Sequence, residues 1–524
     1  MKSNFTHAKG KNGQLFSHET TNQKYRKGYL ALNSSLLILL LVTLNLISYS
    51  QSWQQKGADI DGKFEHDLSG NSVCLSSDGN TIAIGAYASG AGYVRVYSWQ
   101  GSAWIQKGTD LYGEATGDRF GFSVNLCSDG NTLAVGAPWN GENGPKSGHV
   151  RVFQWSGSDW IQKGTNIDAE AEGDDFGWTV CLDSGGNTVA IGAIQNSEKE
   201  PYAGHVRVYI WNNSEWIQKG ADIDGEKGGD GSGRAISLSS DGNTVAIGAP
   251  DNNSKATYAG HVRIYMWADT IWTQKGEDID GKNEKDNSGM SVDLSDDGNI
   301  VAIGSPRNAG NGINAGHVRV FKWNNNSWVQ VGVDIKGEAA SDYSGESVSL
   351  SSDGNSVAIG APYNAGTAPR AGQVRVYDWN GTVWNQRGGD IDGLVNDDQF
   401  GGAVSISSDG TIVAAGAIGD DGNGLQAGHV RVFVNNAVGV PESKIIHKMT
   451  VYPNPTTEEI HITLGNNYKE VILTVKDLAG KIISKQHFSN VSEIHSEIEG
   501  AKGIYFAEIK TNEGFAVVSK VIKY

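Results

Sequence analysis

The sequence predicts an all-β protein, in which a seven-bladed β-propeller closed by its N-terminal strand precedes a small β-sandwich. Two tryptophan series recur every 56 residues, apart from one interval of 51, and a repeat of this size indicates an array of supersecondary modules. Each unit holds four short segments rich in Val, Ile, Tyr and Trp that are bounded by Gly, Asp or Asn, as strands and hairpins are. The series are Trp53, Trp104, Trp160, Trp216, Trp272, Trp328 and Trp384, and Trp99, Trp155, Trp211, Trp267, Trp323 and Trp379.

Residues 1–50 are predicted to be a secretory signal peptide with a long basic n-region. They carry six of the 42 Lys and Arg residues and one of the 59 Asp and Glu residues, and they include an apolar run from Leu36 to Ile47. This run is too short to span the ~30 Å hydrocarbon core of a bilayer but suits an h-region, with a buried core segment as the alternative. Small residues place the cleavage site between Ser50 and Gln51, so the mature chain is expected to have no transmembrane anchor.

Residues 51–440 are predicted to form the propeller. In each unit the segments G-x-S-V-x-L-S, T-V-A-I-G, H-V-R-V-Y and W-x-Q-K-G-x-D-I are predicted to be strands A to D, from the ring axis outward. Seven copies of a four-stranded unit match a seven-bladed propeller. The chain begins with a D strand, Trp53 to Ile60, and the seventh unit ends on a C strand, His429 to Phe433. The N-terminal strand is therefore expected to complete the last blade and to leave no open edge.

The loops between the strands predict one variable face. The A–B turn, as at Ser77 to Asn80, barely changes between units, whereas the B–C loop differs in every unit. Tight turns of this kind use Gly for a positive φ, which suits the 70 glycines of the chain. Because variable loops on a fixed scaffold are where binding functions concentrate, ligand recognition is predicted on the face formed by the D–A and B–C loops.

Charge excludes two classes of partner. Without residues 1–50 the chain has 36 basic and 58 acidic residues, and residues 441–524 hold ten of each, so the negative excess lies on residues 51–440. A surface of this sign repels phosphate groups, so neither nucleic acid nor an anionic membrane is an expected partner.

Several charged residues recur at one position in nearly every unit, which favours a structural role. Strand C carries an Arg and strand D an Asp, and an Arg–carboxylate ladder within each blade is the simplest interpretation, with anion binding as the alternative. A His begins strand C in five units. Histidines spread round a ring cannot converge on one metal ion, so structural hydrogen bonds are predicted for them. The series are Arg95, Arg151, Arg207, Arg263, Arg319, Arg375 and Arg431; Asp59, Asp110, Asp222, Asp278, Asp334 and Asp390; and His149, His205, His261, His317 and His429.

An Asp begins the turn D-x-[FS]-G in all seven units. Two interpretations remain open. Each carboxylate caps its own turn, or the seven together form a ring that attracts cations at the mouth of the channel. The residues are Asp67, Asp118, Asp174, Asp230, Asp286, Asp342 and Asp398.

Trp139, Trp178, Arg307 and Tyr363 are the candidate ligand-binding residues. Trp139 and Trp178 are the two of the 15 tryptophans that lie outside the repeating series. Trp139, Arg307 and Tyr363 occupy one variable position of the B–C loop, and Trp178 occupies a variable position at the start of strand A. Variation at fixed points of a scaffold predicts a binding patch for a glycan or a protein, although neutral drift of surface loops explains the same variation.

Catalytic signatures are absent from the sequence, which has no G-x-S-x-G, H-E-x-x-H, phosphate-loop or C-x-x-C motif. We therefore expect a non-catalytic protein without catalytic residues or a cofactor. Adjacent acids such as Asp174–Asp175 and Asp397–Asp398 leave one alternative open, an extracellular polysaccharide-acting enzyme that uses loop carboxylates.

The second unit carries Phe120-Gly121-Phe122-Ser123-Val124, Val135-Gly136-Ala137-Pro138 and Gly148-His149-Val150-Arg151-Val152-Phe153. In these segments it resembles the FG-GAP repeat. This repeat occurs in integrin α-subunit propellers and in many bacterial surface proteins, and the resemblance covers all seven units. Calcium-binding members of the family carry a D-x-D-x-D-G loop between strands A and B. Here that loop is only Ser-Asp-Gly-Asn, so the resemblance transfers no metal site to any position, and calcium is the one ion that it suggests.

Residues 449–524, after a linker at 441–448, are predicted to be a separate β-sandwich of alternating strands. This segment carries Val451-Tyr452-Pro453-Asn454-Pro455, Gly503-Ile504-Tyr505 and the terminal Ser519 to Tyr524. In these residues it resembles the C-terminal sorting domain of the type IX secretion system of Bacteroidetes. The resemblance implies Sec export, interaction with the secretion machinery through residues 449–524, and a secreted or surface-attached protein.

These patterns favour a secreted or cell-surface, non-catalytic propeller that acts in adhesion or ligand binding. The expected partners are a glycan or protein ligand on the variable-loop face and the secretion machinery. Besides the enzyme, a structural surface-layer component remains an alternative.

Overall fold

The computed structural model describes residues 53–435, 450–478, 481–511 and 516–524, and in these ranges the regular structure consists of β-strands. This confirms the predicted all-β class. The predicted signal peptide, including Ser50 and Gln51 at its cleavage site, and the predicted linker lie outside the described residues.

Seven antiparallel sheets of five strands form the propeller that the repeat predicts. In each blade the strands lie in the order A, B, C, D, and strand D is split into two short pieces that both pair with strand C. Each A strand contacts the A strand of the next blade, and the last contacts the first, so the ring is closed. We number the blades 1 to 7 by the order of their A strands in the chain.

The inner strands of the blades have similar bounds throughout. Strands A are Ser72–Leu75, Ser123–Leu126, Phe176–Leu182, Ala235–Leu238, Ser291–Leu294, Ser347–Leu350 and Val404–Ile406. Strands B are Thr81–Ala86, Thr132–Ala137, Thr188–Ala193, Thr244–Ala249, Ile300–Ser305, Ser356–Ala361 and Ile412–Ala417.

The outer strands follow the same repeat. Strands C are Tyr93–Trp99, His149–Trp155, His205–Trp211, His261–Ala268, His317–Trp323, Gln373–Trp379 and His429–Asn435. The first pieces of strand D are Trp104–Gln106, Trp160–Gln162, Trp216–Gln218, Ile271–Gln274, Trp328–Gln330, Trp384–Gln386 and, for blade 7, Trp53–Gln55. The second pieces are Leu111–Tyr112, Ile167–Asp168, Ile223–Asp224, Ile279–Asp280, Ile335–Lys336, Ile391–Asp392 and, for blade 7, Ile60–Asp61.

The N-terminal strand completes blade 7, as predicted. Trp53–Gln55 pairs with the end of His429–Asn435, and Ile60–Asp61 pairs with its beginning. The indole N–H of Trp53 donates to the Arg387 carbonyl of blade 6 at 2.9 Å, and the first Trp of strand D makes the same bond to the preceding blade in the six other blades. The closing blade is therefore held by the same contacts as the others.

Apolar side chains pack between neighbouring blades. Val150 and Val152 of strand C in blade 2 pack with Val189 and Ile191 of strand B in blade 3, and all four are at most 1% exposed. Strand B is buried along its whole length in six blades and at all residues but Ile300 in blade 5, because a blade lies against each of its faces. Its T-V-A-I-G-A pattern is therefore almost continuously apolar instead of alternating.

The ends of the A strands are joined in a closed ring of backbone hydrogen bonds. The Ser77 N–H donates to the Ser128 carbonyl, and each blade repeats the bond until Ser408 donates back to Ser77, with N···O distances between 2.9 and 3.1 Å. One side chain in each A strand adds to this by accepting an N–H of the next blade, as Cys74 Sγ accepts that of Leu126. These bonds hold the A–B end of the channel, and the variable residues lie at the opposite end.

The C-terminal part forms one sheet with strands Thr450–Tyr452, Glu459–Asp477, Ile482–Glu497, Gly503–Thr511 and Ala516–Lys523. The strand Glu459–Asp477 pairs with the first strand near its start and with the fourth strand near its end. Residues from both of its halves, such as Ile460 and Leu473, lie in one core cluster. The sheet therefore folds over on itself around this core, as in a sandwich.

Candidate functional site

Variable residues surround the channel at the end formed by the D–A and B–C loops, which we call the mouth. The residue at the start of strand A lines one cavity of about 340 Å³ in all seven blades. The scaffold is symmetric, but these side chains differ in size, polarity and charge, so the mouth is not. They are Asn71, Phe122, Trp178, Arg234, Met290, Glu346 and Gly402.

Two further positions at the mouth have a left-handed backbone in every blade. One is the second residue of the D-x-[FS]-G turn, for example Tyr343, and the other lies at the end of the B–C loop, for example Arg370. The φ angles at these positions lie between 49° and 61°. The conformation costs a non-glycine residue about 1–2 kcal/mol. A backbone bond between the two loops helps to fix it, as when the Gln399 N–H of blade 7 donates to the Arg370 carbonyl of blade 6 at 3.0 Å.

Trp139 carries two cations on its ring. The Arg119 guanidinium lies 3.1 Å and the Lys146 ammonium 4.2 Å from the ring centroid. Arg119 also lies 5.4 Å from the centroid of Tyr87. Burial raises the pKa of Asp175 to about 6, although both cations favour its charged form. Trp139 therefore holds cations in place and is not a free surface for stacking.

Trp178 repeats this arrangement at the channel. Its ring centroid is 4.5 Å from that of Phe122, and the Arg234 guanidinium lies 4.8 Å from it. Phe122 also packs edge-on against Tyr87 at 5.1 Å, which connects Trp178 with the group around Trp139. Burial lowers the pKa of Arg234, because the charged form loses solvation.

Arg307 and Tyr363 line a second cavity of about 480 Å³, which we call the side cavity. It shares Arg234 with the cavity of about 340 Å³ around the channel, which we call the axial cavity. Tyr363 packs edge-on against Tyr343 at 5.0 Å, and the Arg370 guanidinium lies 5.3 Å from its centroid. A third guanidinium is thus held on an aromatic ring here.

Four carboxylates lie among these cations: Asp175 faces Arg119 and Lys146, Oδ1 of Asp397 lies 3.2 Å from Arg370 Nε, and Glu346 and Asp251 face Arg234 and Arg307. Burial raises the pKa of Glu346, while Arg234 and Arg307 favour its charged form. Burial also raises the pKa of Asp251, which the same two guanidinium groups face. These four acids compensate most of the charge of the five cations Arg119, Lys146, Arg234, Arg307 and Arg370, in a chain whose formal net charge is −17.

The structure brings three of the four candidate ligand-binding residues together. Trp178, Arg307 and Tyr363 line the two cavities that share Arg234, and Trp139 is joined to them through aromatic neighbours. The sequence pattern does not single out four residues of the same surface, although each occupies a position that varies between blades. They are Arg119, Lys146, Tyr343 and Arg370.

The aspartates of the D-x-[FS]-G turns act as turn caps. Oδ2 of Asp118 accepts the N–H groups of Glu114 and Ala115 and an amide N–H of Asn140. The other blades repeat the backbone bonds, and all seven carboxylates are at most 4% exposed. This geometry favours the capping interpretation over the ring that attracts cations.

The predicted Arg–carboxylate ladder is wrong in most blades. Arg207 makes the predicted pair with Asp222, with two bonds of 3.0 and 2.8 Å. In the other blades the Arg donates to a strand-D carbonyl of the preceding blade, as Arg319 does to Asp280 at 2.8 Å. The strand-D Asp accepts from a Gln four residues earlier in its own strand, and Asp222 does so as well as pairing with Arg207.

The histidines at the start of strand C are buried, but the hydrogen bonds predicted for them are not all present. In His149, His205 and His261 neither ring nitrogen has a hydrogen-bond partner, and all three are at most 1% exposed. Their Nδ1 atoms lie 3.5–3.9 Å from a strand-D carboxylate oxygen. Burial lowers the pKa of each, so the rings are neutral at neutral pH.

The A–B turns do not suit calcium. In blade 1 the Asp78 carboxylate accepts from Ser76 and Asn80, and the Lys56 ammonium donates to the Gly79 carbonyl and to Asn80 Oδ1, each at 2.9 Å. A Lys or Arg of the preceding blade repeats this contact in five other blades. In six of the seven blades protein cations thus use the oxygen atoms that a calcium ion would need, so these turns do not fit the calcium loop.

Residues 113–153 match the FG-GAP repeat family. Residues 450–524 match the secretion system C-terminal sorting domain, which spans the five strands of the C-terminal sheet. The chain carries an FG-GAP repeat within its propeller and a type IX sorting domain at residues 450–524. The sorting domain makes this FG-GAP protein a secreted or outer-surface protein that interacts with the secretion machinery. Among the described residues, no helix has the length and apolar character needed to cross a membrane.

Solved structures resemble the FG-GAP chain at low identity. A functionally unknown protein from Desulfotomaculum acetoxidans is 13% identical, with a TM-score of 0.39 over 65% of this chain and 90% of that one. A putative 6-phosphogluconolactonase from Bacteroides uniformis is 9% identical, with a TM-score of 0.46 over 80% and 99%. TolB from Acinetobacter baumannii is 11% identical, with a TM-score of 0.34 over 69% and 78%. No curated protein matches the chain.

Proposed function

We propose that this secreted or surface protein is a non-catalytic module that binds an acidic glycan at the mouth of its propeller. The observation that carries the proposal is the display of guanidinium groups on aromatic rings. The three pairs are Arg119 on Trp139, Arg234 on Trp178 and Arg370 on Tyr363.

The chemistry of these pairs suits carboxylate and sulfate groups. A guanidinium presents a planar fork of donors that matches such anions with two bonds. A ring beneath the guanidinium limits its motion, so less side-chain entropy is lost when an anion binds. Elsewhere the negative charge of the propeller repels anions, so a polyanion is directed to the mouth.

The shape of the mouth supports a chain-like ligand over a single ion. The axial cavity and the side cavity share Arg234, so together they form one continuous depression. Both cavities have volumes in the range of sites that bind small organic molecules. An oligosaccharide with repeated acidic groups would contact Arg234 and Arg307 at the same time.

Binding of uronic-acid and sulfated oligosaccharides to residues 51–524, measured by calorimetry, tests the proposal. We expect Arg307→Ala with Arg370→Ala to weaken binding at least tenfold and added salt to weaken it further. Gln195→Ala is the matched control, because Gln195 holds the position of Arg307 in blade 3 and does not line the side cavity. Equal affinity for neutral oligosaccharides, or no effect of the double substitution, would contradict the proposal.

Glu346 supports a second candidate, the polysaccharide-acting enzyme. Its raised pKa suits a general acid, and it lies in the side cavity where the glycan is proposed to bind. Glycoside hydrolysis also needs a second carboxyl group at a defined separation. Release of reducing ends from an acidic polysaccharide that stops in Glu346→Gln would establish the enzyme, and binding without turnover would support the module.

A further inference from the structure

Blade 2 contains two buried polar groups without hydrogen-bond partners. His149 is 0% exposed and neither ring nitrogen is bonded, and Oδ1 of Asp168 is also buried without a partner. His149 Nδ1 lies 3.9 Å from this oxygen and 3.9 Å from Oε2 of Glu114. Such unpaired groups are rare in native proteins, so a missing partner needs to be identified.

The spacing of these atoms is that of ligands around an ion. Ligand atoms of Glu114, Glu142 and His149 all lie within 4.8 Å of one another. Donors bound at about 2.1 Å to a tetrahedral ion are roughly 3.4 Å apart, a little closer than the 3.9 Å observed. At 3.9 Å the groups are too far apart to hydrogen-bond directly.

The carboxylates around His149 in blade 2 are compensated only in part. Burial raises the pKa of Asp168, and the nearby Glu142 and Glu114 raise it further. Arg151 lies 3.7 Å from Oε1 of Glu114, while Oε2 of Glu114 faces His149. Glu114 and Asp168 each place a carboxylate oxygen 3.9 Å from His149 Nδ1, and Glu142 lies within reach of Glu114 and His149, so a dication here would stabilise all three carboxylates.

Two other blades supply an ammonium group at the same place. The D–A loop that leads into blade 1 begins with Gly62-Lys63, and the loop that leads into blade 5 begins with Gly281-Lys282. Each Lys pairs with a strand-D Asp, and the Lys282 ammonium is 2.7 Å from Asp334. The equivalent residue in blade 2 is Glu114, as it is Glu in blades 3, 4 and 6, and Asn166 stands in blade 2 in place of the strand-D Asp that these Lys residues pair with.

Blade 6 supplies an amide. Gln373 takes the position of His149, and its Nε2 lies 3.2 Å from Oε2 of Glu338 and 3.4 Å from Oδ1 of Asp392. A protein donor thus occupies the space between the two carboxylates. In blade 2 the Asn166 amide donates to Oε1 of Glu114 at 3.4 Å, but among the described residues Oδ1 of Asp168 and both ring nitrogens of His149 have no partner.

We propose that Glu114, Glu142, His149 and Asp168 bind one divalent transition-metal ion, Zn²⁺ or Mn²⁺. An imidazole nitrogen favours such ions over Ca²⁺, and carboxylate oxygens suit both. The ion ties together the D–A loop, the B–C loop, strand C and strand D. The site is separate from the A–B turns, which the protein's own cations occupy.

Calorimetry on residues 51–524, dialysed first against EDTA and then against buffer, tests the site with ZnCl₂, MnCl₂ and CaCl₂. We expect His149→Gln to bind one Zn²⁺ or Mn²⁺ ion fewer than the unchanged chain. Affinity at the site should fall by at least about 100-fold, because even residues that only orient a ligand contribute about 10–100-fold. Glutamine is the natural replacement in blade 6, so the variant is expected to fold.

His317→Gln is the matched control, because Lys282 already compensates Asp334 in blade 5, and it should bind as many ions as the unchanged chain. Glu142→Gln provides a second test on an exposed loop residue and should also lose the ion. The proposal is overturned if the unchanged chain binds neither metal at millimolar concentration, if His149→Gln binds the same number of ions with the same affinity, or if Ca²⁺ alone binds.

Discussion

Replacing Trp53 by Ala tests whether the N-terminal strand closes the ring. Trp53 is half-buried and packs against a core cluster that includes Phe400 and Phe433. Its indole N–H bonds to the Arg387 carbonyl of the neighbouring blade at 2.9 Å. The substitution therefore removes packing within the closing blade and a bond across its junction with blade 6.

The expected loss follows from these two contacts. A Trp side chain buries about 150–250 Å², so a half-buried one buries roughly 100 Å². At about 25 cal/mol per Å² this burial contributes about 2.5 kcal/mol. The hydrogen bond adds about 1 kcal/mol. We expect Trp53→Ala to lower the free energy of unfolding by about 3–4 kcal/mol.

The assay is equilibrium unfolding of residues 51–524 in guanidinium chloride, followed by circular dichroism. Trp328→Ala is the matched variant, because Trp328 is half-buried in an interior blade and bonds to the Lys275 carbonyl at 2.7 Å. The two variants should lose the same stability to within about 1 kcal/mol. If Trp328→Ala loses about 3 kcal/mol and Trp53→Ala less than about 1 kcal/mol, the N-terminal strand does not close the ring.

Three further predictions concern packing, pH and thiol chemistry. A Cβ at Gly360 would lie 1.9 Å from the Gly401 carbonyl oxygen, so Gly360→Ala should lower the free energy of unfolding by about 3 kcal/mol in the same assay. At Gly389 a Cβ meets nothing within 4 Å, so Gly389→Ala should change the free energy of unfolding by no more than about 0.5 kcal/mol. Burial lowers the pKa of His317 from 6.5 to about 4, so the unfolded chain binds the proton more readily and stability should fall by about 3 kcal/mol as the pH drops through this window. Melting temperatures of His317→Gln should lack this part of the pH dependence. Burial raises the pKa of Cys74 and Cys181 to about 12, so Ellman's reagent should label neither thiol at pH 8 until the protein is unfolded.

The repeat predicts most of the propeller, but it does not predict the break in strand D. W-x-Q-K-G-x-D-I was expected to be one strand, yet it pairs as two short pieces. The cause is visible at Gly57, which has a φ of 87°, because this backbone cannot continue a ladder. A Cβ there would lie 2.8 Å from the Trp99 ring, so only Gly fits against the indole. The Lys-Gly step therefore marks an interruption within the strand.

The sequence predicts the binding surface only in part, because some of its contacts follow the repeat and others do not. Trp178 and Arg234 are 56 residues apart, so the repeat itself brings them to neighbouring positions at the mouth. The contact between Arg119 and Trp139 joins two loops of one blade, and no periodic signal marks it. That pair depends on how a D–A loop folds beside a B–C loop, which the left-handed residue Arg119 helps to set.

Recurrence identifies scaffold residues, but it conceals positions whose partners change. His149 and His317 share one place at the start of strand C, and recurrence alone assigns both to the scaffold. Lys282 and Asp334 lie beside the second histidine, whereas Glu114 and Asp168 lie beside the first, so the charges around the two rings differ. A residue that is structural in one blade thus becomes a candidate ligand in another. In a repeat protein, function is therefore sought in combinations of neighbouring positions, because each position taken alone still follows the repeat.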